Sequence, residues 1–204
     1  PIVTPPSLAK IARTPSIVEK SAEPPGPTGS KPPERMPIIP TEYARHSKPT
    51  PFTSESDYNA AIVQACLGIG IEVIGVTDHY RVRDSAGLVR AARDSGIHAF
   101  SGFEAVTKDG VHFLCLFDPD KDDNLERFIG ECGIHDDNQA SPTGDLDSTE
   151  LLECSRRWGA VCIAAHVAAD QGGLLKVLSG RSRINVWTSP HLLACALPGP
   201  VKDA

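Results

Sequence analysis

With 204 residues, 40% of them hydrophobic and 23% charged, the chain has apolar material for one substantial domain. A formal net charge of -6 argues against a broad nonspecific nucleic-acid surface and still allows a local basic pocket. There is no apolar run long enough to span a membrane and no signal-peptide pattern. Six cysteines (Cys66, Cys115, Cys132, Cys154, Cys162 and Cys195) form no C-x-x-C pair and sit mostly among apolar neighbours, so they read as reduced core residues of a cytoplasmic protein.

Residues 1–40 carry Pro5-Pro6, Pro24-Pro25, Pro27, Pro32-Pro33, Pro37 and Pro40 among Ser, Thr and Lys, with few large apolar side chains. Such a segment cannot bury enough surface to offset the entropy of ordering it, so it is expected to be a disordered arm with local extended stretches. An opening on Pro1 fits a fragment or a processed product, and the folded part is expected within residues 41–204.

The character changes at Ser54-Glu55-Ser56-Asp57, a helix start with acidic residues in the first turn. Tyr58, Ala61, Ile62, Ala65 and Cys66 then recur at helical spacing up to Gly68. Residues 70–77 alternate branched apolar residues with glycine, which suits a buried parallel strand. A helix follows near 85–95, with Leu88, Val89 and Ala92 on one side and Gly96 as its stop. Residues 97–106 read as a strand, turned by Lys108-Asp109-Gly110 into a second strand at 111–117, a hairpin inserted among parallel strands.

Pro119 to Asn124 is an acidic turn, and Asn124 opens a short helix through Leu125, Phe128 and Ile129. Polar residues 133–148 give way to a helix carrying Leu151, Leu152, Cys154 and Trp158, ended by Gly159. A nearly continuous apolar strand runs over 160–165, followed by Gly172-Gly173 and a helix over 174–178. Val186-Trp187-Thr188 and residues 192–197 are expected to form two last short strands or one interrupted strand. Alternating strands and helices make the class α/β.

Three of these strands end on residues able to hold a divalent metal or handle a proton: Asp78 and His79, Glu104, and His166. In a (β/α) barrel the C-terminal ends of the strands converge on one face, which would bring such residues together. His79, Glu104 and His166 are therefore the candidate catalytic residues, and with Asp78 and His46 they form the candidate metal set. Each has a plainer reading as well. Thr77 and Asp78 suit a helix N-cap, His46 suits the end of the arm, and His166 suits a packed neutral histidine bonded to backbone. His112 is placed at the margin, because it opens an alternating strand and can face either the site or solvent. Arg81 and Arg83 are the candidate phosphate contacts, with solvated loop charges as the alternative. The donor set suits Mn, Zn or Fe.

Taken in order, these residues resemble the polymerase and histidinol phosphatase (PHP) family of metal-dependent phosphoesterases. Thr77-Asp78-His79 resembles its second motif, Gly102-Phe103-Glu104 the Gly-x-Glu that supplies a bridging carboxylate, and Ala165-His166 a later metal-binding histidine. The run from His112 to Asp118 is similar to PHP domains fused to a large ATPase of the chromosome-maintenance type. The resemblance covers about residues 42–200 and implies a distorted (β/α)7-like TIM-type barrel, incomplete at the C-terminus, with residues 41–204 as a partial PHP domain. It implies hydrolysis of phosphate esters, in a small molecule or at a nucleic-acid end, by metal-activated water.

Two departures qualify the activity. Glu42-Tyr43-Ala44-Arg45-His46 places Ala44 where the family has the first histidine of a His-x-His pair, and no Asp-x-His pair follows His166. The alternative expectation is a catalytically degenerate PHP module with a binding or regulatory role beside an ATPase domain or another partner protein.

Overall fold

The structure is a computed structural model that describes Phe52, residues 54–135 and residues 141–197. The expectations for the Pro-rich arm, Ala44 and His46 lie outside the described residues.

Helix α1 (Glu55–Gly68) begins where Ser54 Oγ accepts the Asp57 N–H at 3.1 Å, with Glu55 and Asp57 at its positive end. Strand β1 (Val73–Val76) leads through the Thr77-Asp78-His79 lip into α2 (Val82–Asp94). The long strand β2 (His98–Val106) turns back as β3 (His112–Phe117). A 3-10 turn (Pro119–Asn124) runs into α3 (Leu125–Glu131). Helix α4 (Ser148–Trp158) opens on a reciprocal cap: Asp147 accepts the Thr149 and Glu150 N–H groups, and Glu150 accepts the Asp147 N–H. Strand β4 (Val161–Ala164), a single turn α5 (Leu174–Val177), α6 (Gly180–Trp187) and β5 (Leu192–Cys195) complete the order.

One expectation is corrected here. Val186 and Trp187 belong to a helix, and only the later segment is a strand. Val186 is 2% exposed while Ile184 and Trp187 are 60% and 47% exposed, so Val186 is the one residue that anchors this two-turn helix. The strand preference of an isolated Val-Trp pair is weak and yields to that packing.

The five strands form one sheet in the order β1-β2-β3-β4-β5. β1 and β2 are parallel, β4 and β5 are parallel, and β3 is antiparallel to both of its neighbours. The sheet is mixed and not closed, an α/β fold consistent with a distorted, incomplete TIM-type barrel. Because β3 alone is reversed, its first residue lies on the same rim as the C-terminal ends of β1, β2 and β4. That rim carries the candidate site.

Alternation along the strands divides the apolar residues between two faces. Phe103, Ala105, Phe113, Cys115, Phe117, Cys162 and Ala164 pack under α3 to α6, with Phe128 edge-on to Phe103 and Phe117 at ring distances of 5.2 and 6.1 Å. Ile74, Val76 and Ala99 extend the same face beneath α2, against which α1 lays Val63 and Cys66. The other face is thin: Leu114, Leu116, Ile163, Ala165 and Ala196, with Phe100 beside them. Leu116 lies across the middle of it. A Cβ on Gly102 would come within 2.3 Å of the Cys115 carbonyl oxygen and 2.9 Å of the Leu116 side chain, so glycine is needed there for the strands to approach.

Candidate metal centre

β1 stops pairing at Val76, but the chain continues beside β2. The Asp78 carbonyl accepts the Glu104 N–H at 3.2 Å, and His79 bridges to Glu104 in the parallel sense. Tyr80 then takes a φ of +54°, a left-handed conformation that costs a residue with a Cβ free energy and turns the chain out of the sheet. Its ring stacks on Phe103 at 5.3 Å. Its hydroxyl donates to the Val106 carbonyl at 3.0 Å and accepts the Val106 N–H at 3.1 Å, extending the ladder by one side chain beyond the end of β1. The His79 imidazole is held opposite Glu104 between these two anchors.

Glu104 and His112 reach the same face through the hairpin register. Glu104 pairs with Leu114 and Val106 with His112, so both polar side chains have the parity of the thin apolar face. The turn that fixes this register is tied down. Thr107 Oγ1 accepts the Val111 N–H at 2.9 Å, while the Asp109 carboxylate accepts the Ser148 hydroxyl at 2.8 Å and the Ser148 N–H at 3.2 Å. His166 enters from β4, two residues past its end, with a φ of +30°. Tyr80 and His166 are the positive-φ residues other than glycine among those described, and both border the same site.

The result is three imidazoles around one carboxylate oxygen. Glu104 Oε1 lies 2.8 Å from His112 Nδ1, 3.5 Å from His166 Nε2 and 3.7 Å from His79 Nε2. The His112 ring sits edge-on to His79 and His166 at 5.9 and 5.0 Å. Glu104 is buried, while the histidines are 13 to 26% exposed at the side chain, so the cluster reaches solvent through its imidazoles. Burial pushes the Glu104 carboxyl up, but hydrogen bonds from His112 and His166 and the charges of His79 and His112 outweigh it and bring its pKa down to about 2.

These residues fit a divalent ion. Ligand atoms of His79, Glu104 and His112 all lie within 4.8 Å of one another, a His/Glu/His set able to coordinate such a metal. Nitrogen and oxygen donors on three separate chain segments, held by backbone that two strained residues distort, make a preorganised cluster. His166 stands beside this set through its contact with Glu104.

The structure gathers His79, Glu104 and His166 of the sequence candidates. It adds His112, which sequence reasoning left at the margin, at the shortest distance from Glu104. The usable signal was topological: a hairpin strand inserted among parallel ones starts on the rim where its neighbours end. Asp78 contributes its carbonyl to β2. Arg81 is buried against Asp84, with Nε 2.6 Å from Oδ2. Arg83 is exposed and makes a two-pronged pair with Glu126 at 2.5 and 2.9 Å. Tyr80, which seats His79, was not singled out, because a buried tyrosine after a strand carries no motif of its own.

No protein-family model matches this chain, and no curated protein matches it. Among solved structures it is similar to a candidate metal-dependent phosphoesterase from Bifidobacterium adolescentis, at 13% identity and a TM-score of 0.49, over 67% of this chain and 70% of that one. It is also similar to the lesion-specific endonuclease Endonuclease Q from Pyrococcus furiosus, at 18% identity and a TM-score of 0.48, over 59% of this chain. Endonuclease Q bound to a duplex with an abasic lesion gives the same values. The chain spans 33% of the length of Endonuclease Q. No helix among the described residues is long and apolar enough to cross a membrane.

Proposed function

We propose that residues 41–204 form a partial PHP-type domain that hydrolyses phosphate esters, with nucleotides and nucleic-acid ends as the substrate class, and that its catalysis is impaired. The observation that supports this most directly is the convergence of His79, His112 and His166 on Glu104 Oε1 within 3.7 Å. The ordered likeness of Thr77-Asp78-His79, Gly102-Phe103-Glu104 and Ala165-His166 to PHP motifs supports it from the sequence.

His79, Glu104 and His112 would hold a divalent ion of the Mn, Zn or Fe kind, with His166 beside them and His46 and Asp78 as further candidates. When bound, such an ion supplies Lewis-acid stabilisation of a phosphoryl oxygen and lowers the pKa of a water. The protein's own part is to orient the imidazoles: Glu104 fixes the His112 ring through Nδ1, and the buried carboxylate stays ionised to near pH 2. Arg81 and Arg83 would meet a phosphate only by exchanging their present carboxylate partners, Asp84 and Glu126, which favours weak substrate binding. The buried thiols Cys66, Cys115, Cys132, Cys154 and Cys162, none of them in a disulfide, support a cytoplasmic setting.

A second reading, a degenerate PHP module that binds a partner such as an ATPase domain, is favoured by Ala44 standing where the PHP pattern has a histidine. Hydrolysis of a generic phosphomonoester and a phosphodiester with added Mn²⁺ or Zn²⁺, in the wild type and in His166→Ala, separates the readings. Metal-dependent turnover that His166→Ala abolishes supports the enzyme. Equal rates in both proteins reject this site as its origin. Metal binding without turnover leaves the binding module.

A further inference from the structure

Gly172 lies against the cluster, and none of the motifs explains it. It has a φ of +71°, and a Cβ placed on it would lie 2.6 Å from His112 Cδ2, 2.7 Å from His112 Cγ and 2.7 Å from His166 Cε1. These contacts are well inside van der Waals distance and fall on two imidazoles at once. The bare Cα of Gly172 therefore forms part of the wall that the His112 and His166 rings rest against.

That wall has little freedom to retreat. The Gly172 carbonyl accepts the His112 N–H at 2.9 Å, tying the loop to the first residue of β3. The Ala169 N–H reaches the His166 carbonyl at 2.7 Å, and the Leu175 N–H reaches the Val167 carbonyl at 3.0 Å, closing the segment on itself. Its two ends are pinned in the core by Val167 and Leu174, at 1% and 0% exposure. The imidazoles, by contrast, are partly exposed, at 23% and 26% of the side chain for His112 and His166. If a side chain appeared at position 172, the rings would be the part that moved.

We infer that Gly172 is a positioning residue for the metal centre: it holds the His112 and His166 imidazoles against Glu104 by leaving no room behind them for anything larger than a hydrogen. The inference rests on the metal-site reading and deepens it. Gly172→Ala would swing one or both rings away from Glu104 Oε1, and mutating a residue that orients metal ligands typically weakens metal binding about 10- to 100-fold.

The control is Gly96→Ala. Gly96 has a similar φ of +82° but nothing within 4 Å of its Cβ position, so it bears the same backbone strain without touching a ring. The full chain, Gly172→Ala and Gly96→Ala are titrated with Mn²⁺ and with Co²⁺ by calorimetry and by the Co²⁺ absorption spectrum. In parallel, the ring ¹⁵N resonances of His112 and His166 are recorded without metal. Gly172→Ala is expected to raise Kd about 10- to 100-fold and to shift both sets of ring signals, while Gly96→Ala lowers stability and leaves Kd and the rings unchanged.

Gly172→Ala that matches Gly96→Ala in both readouts overturns the inference. A wild type that binds neither metal overturns the proposed function instead, and the metal-free ring signals still decide the role of Gly172. If Gly172→Ala fails to fold, the triple variant His112→Ala/His166→Ala/Gly172→Ala is the second measurement. Removing both obstructing rings should restore folding, and failure to do so counts against the inference.

Discussion

The phenol of Tyr80 offers a sharp test of how the site is built, because its hydroxyl serves both polar groups of one residue. Tyr80→Phe removes the donor to the Val106 carbonyl and the acceptor for the Val106 N–H, at 3.0 and 3.1 Å. The two losses are unequal. The Val106 carbonyl keeps the Gly144 N–H at 2.7 Å, so only the amide is left without its partner. The ring remains to stack on Phe103, and no cavity larger than an oxygen opens. An unsatisfied buried donor costs about 1–3 kcal/mol, so the expected loss is about 2 kcal/mol. For a domain of this size that is a fall in Tm of roughly 4–8 °C.

Urea unfolding with an unchanged m-value measures the loss, and amide exchange localises it. Val106 should be protected in the wild type and exchange markedly faster in Tyr80→Phe, while Phe113 and Cys115 at the centre of β3 fall only by the global loss. A destabilisation below about 0.5 kcal/mol, outside the range for an unsatisfied buried donor, together with unchanged Val106 protection, would refute the account of Tyr80 as a substitute for the missing end of β1.

Glu104 should make the protein acid-sensitive in a defined window. Its folded pKa of about 2 lies below the ordinary 4.5, so its contribution is fully present above about pH 4.5 and is lost as pH falls through about 2. Wild type should lose about 3 kcal/mol more than Glu104→Gln across that window, read from urea midpoints at successive pH values; parallel curves for the two proteins would contradict it. Asp147→Ala should cost about 1 kcal/mol by removing the cap of α4, and Asp147→Asn should recover most of it; equal Tm values for the two variants would show that the cap contributes nothing.

The sequence by itself determined the elements whose causes are local. Ser54 starts α1, Gly159 ends α4, and the turn around Lys108-Asp109-Gly110 joins two strands, because caps and turns are set by a few neighbouring residues. It also showed His79 and His166 as polar residues just past apolar strands, and Glu104 as a carboxylate in one, although β2 runs two residues beyond it. Local signals misread the segment around Val186, a helix in which that one side chain is buried against the core.

Tertiary structure alone decided three further things. It set the hairpin register, with Val106 opposite His112 and Glu104 opposite Leu114, which moved His112 from an undecided strand position to 2.8 Å from Glu104. It set the Tyr80 hydroxyl against Val106, twenty-six residues away in the chain, so that His79 faces the carboxylate. It laid Gly172 behind two imidazoles at once. In each case the deciding contact depends on a register or a packing that no local pattern sets. The physical reason is that alternation along a strand fixes which residues share a face, but only pairing between strands fixes which neighbours they meet there.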